Sequence, residues 1–249
     1  MKRKLFLAAL ASGAAAGASG LPARAADDVV FAGVFSSTGA YAAFGRDTDR
    51  GFRLAVNEVK STVDGHAISY ITRDDQTKPD VGQQQATDAY DHDGARFFAG
   101  VASSSVALAL AQVVADKHAL FFTSVGADDI TGKNCNAYTF RWSVPAYGAV
   151  RATMYPFIRK FPDAKTWYTI TPSYVFGESL LQNVKDVAQE RGLTLVGNDY
   201  HPLGTTEFSD YIASRSSGPI PAKSKSPPLH TYKIFVDFFK PKLAAVFSA

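Results

Sequence analysis

Apolar runs and segments with helical periodicity alternate along most of this 249-residue chain. Residues 29–35 form an apolar run that ends in a Ser-Ser-Thr-Gly turn, and apolar side chains then recur at helical spacing between residues 44 and 59. Further strands are predicted at 67–72, 97–101, 120–123, 166–170 and 193–200, with an extended segment at 138–142. Further helices are predicted at 79–90, 103–117, 145–160, 176–191 and 207–212. Nearly continuous apolar strands between helices predict an α/β fold with parallel sheets covered by helices on both faces.

The N-terminus has the pattern of a secretory signal. Lys2, Arg3 and Lys4 precede an apolar run, and Ala23 and Ala25 occupy the two positions that a signal peptidase reads. Glycines and a proline interrupt this run before it reaches the ~20 residues that a membrane-spanning helix needs. The sequence therefore predicts a cleaved signal peptide over residues 1–25 and a periplasmic location. The residue directly after the predicted cleavage site is Ala26 and not a cysteine, so we expect no lipid anchor.

The charge of the chain is divided unevenly. Of 26 basic and 23 acidic residues, four basic ones precede residue 27, and six basic residues with one acidic residue follow residue 214. The stretch 27–214 therefore carries 16 basic and 22 acidic residues, a net charge of −6. A mildly acidic body argues against nucleic acid or an anionic membrane as a partner.

Residue patterns typical of metal sites and enzymes are missing from the sequence. Cys135 is the single cysteine, which excludes an internal disulfide and a cysteine-based metal site. The five histidines show no ligand-like spacing, and there is no G-x-S-x-G elbow or phosphate-binding loop. We expect no metal, no cofactor and no catalytic residues.

Hydroxyl-rich turns follow three of the predicted strands. Ser36, Ser37 and Thr38 follow the first strand, residues 103–105 (SSS) follow the third, and Thr123 and Ser124 end the fourth. Open α/β sheets bind ligands at the carboxyl ends of their strands, where N–H groups at helix starts and hydroxyls together suit a carboxylate. Serine is also a common helix cap, so capping stays open as the alternative explanation.

Four segments carry a family resemblance: 33–57 (GVFSSTGAYAAFGRDTDRGFRLAVN), 100–105 (GVASSS), 132–142 (GKNCNAYTFRW) and 173–180 (SYVFGESL). Together they resemble the type I periplasmic binding proteins of the branched-chain amino acid class, over residues 28–213. The resemblance implies two Rossmann-like lobes, here 26–143 and a partial second lobe 144–214. It also implies a hinged receptor, not an enzyme, that passes a small solute to the membrane permease and ATPase of an ABC importer.

The same resemblance implies a set of ligand-binding residues. A serine at the position of Ser103 or Ser104 holds the carboxylate of the ligand, and the following loop supplies backbone contacts. The family's aromatic lid positions fall at Phe44 and Phe176, with Tyr41 and Tyr174 close by. The loop residues are Ser124, Val125, Gly126 and Ala127. Phenylalanine at both lid positions leaves the solute open among branched-chain amino acids and related aromatic or aliphatic carboxylates or amides.

The C-terminal stretch differs from the family pattern. From Arg215 the chain becomes basic and rich in serine and proline, and residues 232–247 have no family likeness. Family members are usually much longer, so we expect that the C-terminal part of the fold is missing and that 215–249 is an atypical tail from a truncated or shifted reading frame.

Two other functions remain open from the sequence. One is a ligand-sensing receptor domain of the same fold. The other is a truncated remnant that binds nothing, because losing the buried area of the missing strands would exceed the net stability of a domain.

Overall fold

The structure is a computed structural model that describes residues 28–216. The predicted signal peptide, 1–25, and all but the first two residues of the predicted tail, 215–249, lie outside the described residues. Within 28–216, no helix combines the length and the apolar character needed to cross a membrane.

Six strands form the larger of two sheets. They are β1 (Val29–Phe35), β2 (Thr62–Val63), β3 (His66–Asp74), β4 (Phe97–Gly100), β5 (Leu120–Thr123) and β6 (Thr139–Arg141). Their order across the sheet is β2-β3-β1-β4-β5-β6. Every neighbouring pair is parallel except β2 and β3, which form a short antiparallel hairpin.

Helices cover both faces of this sheet. They are α1 (Ala42–Glu58), α2 (Pro79–Asp91) and α3 (Ser104–Lys117). Side chains alternate between the faces along β1. Phe31 and Phe35 lie against Phe52 of α1, with ring centroids 5.9 and 5.5 Å apart. Ala32 and Val34 join the core formed with α2 and α3. The predicted α/β fold with a parallel sheet covered on both faces is confirmed.

Large apolar side chains fill the space between this sheet and α3. Phe98 of β4 and Phe121 of β5 are fully buried, as are Leu110 of α3 and Ile130. Ile130 ends a short 3-10 helix, Asp128–Ile130, that follows β5. The core is therefore centred on the middle strands, directly beneath the turns that follow them.

A second, smaller sheet follows the first. Helix α4 (Ala146–Lys160) leads into β7 (Thr166–Pro172), α5 (Val175–Arg191), β8 (Thr194–His201) and α6 (Ser209–Ser216). β7 and β8 run parallel and form a sheet of two strands. The buried apolar cluster of this part contains Val150, Met154, Val184 and Val187.

The predicted elements agree with the structure in type, and β1 and β5 agree in both ends. β3 is longer than predicted because His66 pairs with β2, and Arg73 and Asp74 pair with the end of β1. Neither β2, with two exposed residues, nor the 3-10 helix was predicted. The division into lobes at residue 143 stays a prediction. Below, "first lobe" means the elements up to β6, and "second lobe" means those from α4 onwards.

Candidate functional site

The carboxyl ends of β1, β4 and β5 meet at one edge of the larger sheet. Val34 of β1 lies beside Gly100 of β4, and Gly100 lies beside Thr123 of β5. The three hydroxyl-rich turns therefore start side by side, at the edge where open α/β sheets bind ligands.

The turn after β4 has a strained backbone. Gly100 has a φ of +120°, and a Cβ there would lie 2.4 Å from the carbonyl oxygen of Val34, so this position requires glycine. Val101 follows with a φ of 56°, a left-handed conformation that β-branched residues rarely adopt. Strain of this kind costs about 1–3 kcal/mol and is concentrated at functional sites. These two residues turn the chain toward Ser103 and Ser104.

Ser103 and Ser104 lie at the start of α3, and each is 2% exposed. Ser104 Oγ accepts a hydrogen bond from the backbone N–H of Ala127 at 3.3 Å, which ties α3 to the turn after β5. Ser103 is the N-cap residue, yet its side chain makes no capping hydrogen bond within the described chain. Capping therefore does not account for the Ser103 hydroxyl, which is buried beside the first turn of α3.

In the turn after β1, the hydroxyls are bonded to carboxylates. Ser36, fully buried, donates to Oδ1 of Asp75 at 2.5 Å, and Thr38 Oγ1 donates to Oδ2 of Asp74 at 2.6 Å. Burial raises the pKa of Asp75, because the charged carboxylate is poorly solvated there. These bonds join the turn after β1 to the end of β3, so the hydroxyls of Ser36 and Thr38 have a structural explanation that the Ser103 hydroxyl lacks.

The turn of residues 124–127 is held from the β6 side. Arg141 donates to the carbonyl oxygen of Ala127 at 2.7 Å and to that of Gly126 at 3.4 Å. Desolvation lowers the pKa of Arg141. Ser143 Oγ donates to the carbonyl oxygen of Ser124 at 2.5 Å. The backbone of this turn is thus anchored through its carbonyl groups.

Aromatic residues of the second lobe lie against this edge. A Cβ added to Gly126 would lie 2.5 Å from the ring of Phe176, so the ring rests on the glycine backbone. Tyr174 lies next to Phe176, with ring centroids 6.2 Å apart, and its hydroxyl is 2.7 Å from that of Tyr41. Phe44, on α1, is 53% exposed. Three of the four predicted aromatic residues are therefore close together, and Phe44 faces solvent.

Asp128 forms a second connection between the lobes, which the sequence did not predict. Its Oδ1 accepts from the backbone N–H of Tyr147 at 3.1 Å, and its Oδ2 accepts from Ser179 Oγ at 3.1 Å and from Nδ2 of Asn183. Its own backbone N–H donates to Ser179 Oγ at 3.0 Å. Ser179 is 51 residues away in the chain, so no local pattern marked the pair.

The acidic side chains at this edge are bonded within the chain and do not form a metal-binding group. Across residues 28–216, no group of three or more acidic, histidine or cysteine side chains is arranged to hold a metal ion, and Cys135 is exposed. What the site offers is hydroxyls, backbone groups and aromatic rings.

Parallel strands, covering helices and an edge site of small polar turns define the class as an open-sheet α/β protein. The family described as periplasmic binding protein matches residues 28–219. The chain belongs to this family, and the resemblance seen in the sequence is confirmed.

Solved structures of similar proteins agree. An amino acid ABC transporter substrate-binding protein from Pseudomonas fluorescens Pf-5 is 48% identical, with a TM-score of 0.69, over 77% of this chain and 51% of that one. A periplasmic binding protein from Burkholderia mallei is 27% identical, with a TM-score of 0.71 and coverages of 77% and 51%. A branched-chain amino acid ABC transporter periplasmic ligand-binding protein from Burkholderia xenovorans LB400 is 26% identical, with a TM-score of 0.63 and coverages of 76% and 50%.

This chain therefore spans about half the length of these solved relatives. All three relatives are binding proteins, two of them of ABC transporters, which agrees with the expectation that the chain is not an enzyme. No curated protein sequence matches the chain.

Proposed function

We propose that the chain is the solute-binding component of an ABC importer and acts in the periplasm with a membrane permease. The proposed solute is a branched-chain amino acid or a related small carboxylate or amide. Family membership and the 48% identical amino acid transport protein support this assignment. No resident cofactor is part of the proposal.

The observation that carries the proposal is the buried hydroxyl of Ser103. It lies at the N-terminus of α3, where backbone N–H groups attract a carboxylate, and no cap bond uses it within the described chain. Ser104 and the turn residues Ser124, Val125, Gly126 and Ala127 would form the neighbouring wall. A carboxylate held this way needs no lysine or arginine.

The aromatic residues form the rest of the proposed site. Phe176 lies over Gly126, and Tyr174 and Tyr41 lie beside it, so the side chain of the solute would meet apolar ring surface. Phe44 is exposed in this structure and would complete the wall by approaching the solute from α1.

Thermal unfolding with candidate solutes tests the proposal. The purified chain from residue 26 is unfolded alone and with leucine, valine, phenylalanine, benzoate or a short aliphatic amide. A solute that binds the native state but not the unfolded state raises the unfolding temperature. We expect leucine or valine to give the largest increase. Cooperative unfolding that no solute shifts would contradict the proposal, and an absent cooperative transition would support the non-binding remnant.

A matched pair of serine variants locates the site. Ser103→Ala should weaken binding of the stabilising solute by about tenfold, because a hydrogen bond to a charged carboxylate is lost. Ser105→Ala, two residues further along, is the control and should leave affinity unchanged. Equal effects of the two substitutions would show that the carboxylate is held elsewhere.

A further inference from the structure

We propose that Tyr41 and Tyr174 form the closing contact between the two lobes, and that their hydroxyls bond to each other and thereby set how long a solute stays bound. The effect on the lifetime of the bound solute rests on the proposed function. The contact between the two tyrosines does not rest on it, because the contact joins two side chains of this chain.

The two hydroxyls meet although the residues are 133 positions apart. Their oxygens are 2.7 Å apart, within normal hydrogen-bond distance. Tyr41 is the residue before α1, and Tyr174 is the residue before α5. Each helix follows the first strand of its sheet, so the bond links corresponding edges of the two sheets.

Both tyrosines are held by their backbones. The N–H of Tyr41 donates to Thr77 Oγ1 at 3.3 Å, in the loop after β3. The N–H of Tyr174 donates to the carbonyl oxygen of Pro172 at 2.9 Å, and its own carbonyl accepts from the N–H of Glu178 at 3.1 Å. Because both backbones are fixed, each hydroxyl extends a set distance from its own lobe. The two hydroxyls can therefore meet only when the lobes are close together.

The surroundings favour the protonated form of Tyr174. Burial raises the pKa of Tyr174 and the hydrogen bond with Tyr41 raises it further, so the Tyr174 phenol stays protonated. A single neutral hydrogen bond has a small net strength, and it can break and re-form as a solute enters and leaves.

The Asp128 cluster is the natural contrast. It links the lobes through a charged acceptor and several bonds to Ser179, Asn183 and Tyr147, so it suits a permanent joint. The tyrosine pair, with one neutral bond, suits the side of the cleft that opens.

Cross-linking tests the contact without a solute. In a Cys135→Ser background, which removes the native cysteine, Tyr41→Cys and Tyr174→Cys are combined and treated with a bismaleimide that spans two tyrosine side chains. We expect a rapid intramolecular cross-link, and a much slower one in the control that pairs Tyr41→Cys with Tyr200→Cys. Equal rates in the two proteins would overturn the contact.

Solute kinetics test the effect on lifetime. Tyr41→Phe and Tyr174→Phe should each raise the dissociation rate about three- to tenfold and leave the association rate within about twofold, because only closure is weakened. The double variant should match the single ones, since both remove the same bond. Tyr200→Phe, at an exposed tyrosine, is the control and should change neither rate.

The possible failures are distinguishable. Additive effects of the two phenylalanine substitutions would show that each hydroxyl acts on the solute separately, which overturns the closing contact. If no solute binds the unaltered chain, the proposed function fails, and so does the claim about solute lifetime. The contact between the lobes is then decided by the cross-linking rates alone.

Discussion

The two sheets of this molecule are built on the same plan and are buried to very different extents. In the first lobe the middle strands carry fully buried Phe98 and Phe121. In the second lobe β8 leaves Val196 and Tyr200 each 47% exposed. The first sheet has six strands and the second has two. A strand pair covered by two helices encloses only a small core, so we infer that the second lobe depends on its contacts with the first.

The buried clusters show the same difference. Seventeen buried apolar residues form the main cluster of the first lobe, and four form that of the second. Each fully buried large apolar side chain contributes roughly 1.5–3 kcal/mol. We infer that the first lobe is the stable unit, and that Asp128 and Phe176 hold the second lobe to it.

The largest expected effect comes from breaking the first core. Phe98→Ala should cost about 3–5 kcal/mol of unfolding free energy, and Met154→Ala in the second lobe about 2 kcal/mol. The chain has two tryptophans, Trp142 after β6 and Trp167 in β7, so Trp167→Phe and Trp142→Phe variants give separate fluorescence reporters for urea unfolding.

The two core variants should differ in which tryptophan reports a change in the urea midpoint. Phe98→Ala should shift both reporters because the second lobe rests on the first, and Met154→Ala should shift Trp167 alone. If Phe98→Ala left the unfolding reported by Trp167 unchanged, the second lobe would be stable without the first. The inferred dependence of the second lobe on the first would then be wrong.

The next effect concerns the joint between the lobes. Asp128→Ala removes one of the two acceptors of the Asn183 amide, which is 5% exposed, together with the acceptor of the Tyr147 N–H, and should cost about 2–3 kcal/mol. We expect the Trp167 reporter to unfold at lower urea than Trp142. The control is Asp129→Ala, which breaks an ion pair with exposed Lys133 and should cost at most about 0.5 kcal/mol. Coincident unfolding of both reporters in Asp128→Ala would show that the joint lies elsewhere.

A smaller effect is expected where Phe176 touches the first lobe. Gly126→Ala places a methyl group 2.5 Å from the ring and should cost about 1–2 kcal/mol through overpacking. Phe176→Leu should relieve part of that cost in the double variant, so the two changes should not add. The midpoints of urea unfolding for the unaltered chain, the two single variants and the double variant form a double-mutant cycle. Additive losses of stability would mean that the Phe176 ring moves freely away from the turn.

The smallest effect is a pH dependence within the first lobe, where neighbouring carboxyls shift in opposite directions. Burial raises the pKa of Asp75 above its ordinary value of 3.8, so between that value and the raised pKa the folded form holds a proton that the unfolded form has lost. Stability should therefore fall as pH rises from about 4 through the raised pKa, and stay level above it. The unfolding temperature, measured against pH, should show this fall for the unaltered chain and not for Asp75→Asn.

For Asp74, desolvation raises the pKa, but hydrogen bonds from Thr38, Gln76 and Ser37 outweigh it, and the pKa is lowered. Its contribution is fully present above its ordinary pKa and is lost as pH falls through the lowered value. Asp74→Asn should flatten that acid side of the profile. Unfolding temperatures that change in the same pH range for both variants would contradict the opposite shifts.

The sequence predicted the fold better than the site. β1 was predicted to the residue, since a buried parallel strand leaves a continuous apolar run. The two residues of β2 carry no such pattern and were missed. The expectation that ligands bind at the carboxyl ends of the strands also placed Ser103 and Ser104 beside the turn after β5. Parallel strands bring their carboxyl ends together, and Ser104 bonds to that turn.

Long-range polar pairs were beyond prediction from the sequence. The three hydroxyl-rich turns look alike along the chain, and the partner of Ser36 lies 39 residues away at Asp75. The same holds for Asp128 with Ser179 and for Tyr41 with Tyr174. These bonds depend on how the elements pack, which local spacing does not encode.

The order of the elements along the chain has a consequence for folding after export. All six strands of the first sheet are complete at Arg141, and none is supplied by the described residues that follow. On the proposed route to the periplasm, a chain that crosses the membrane N-terminus first can therefore assemble this sheet before the second lobe has arrived. The later strands then meet a finished surface against which to fold.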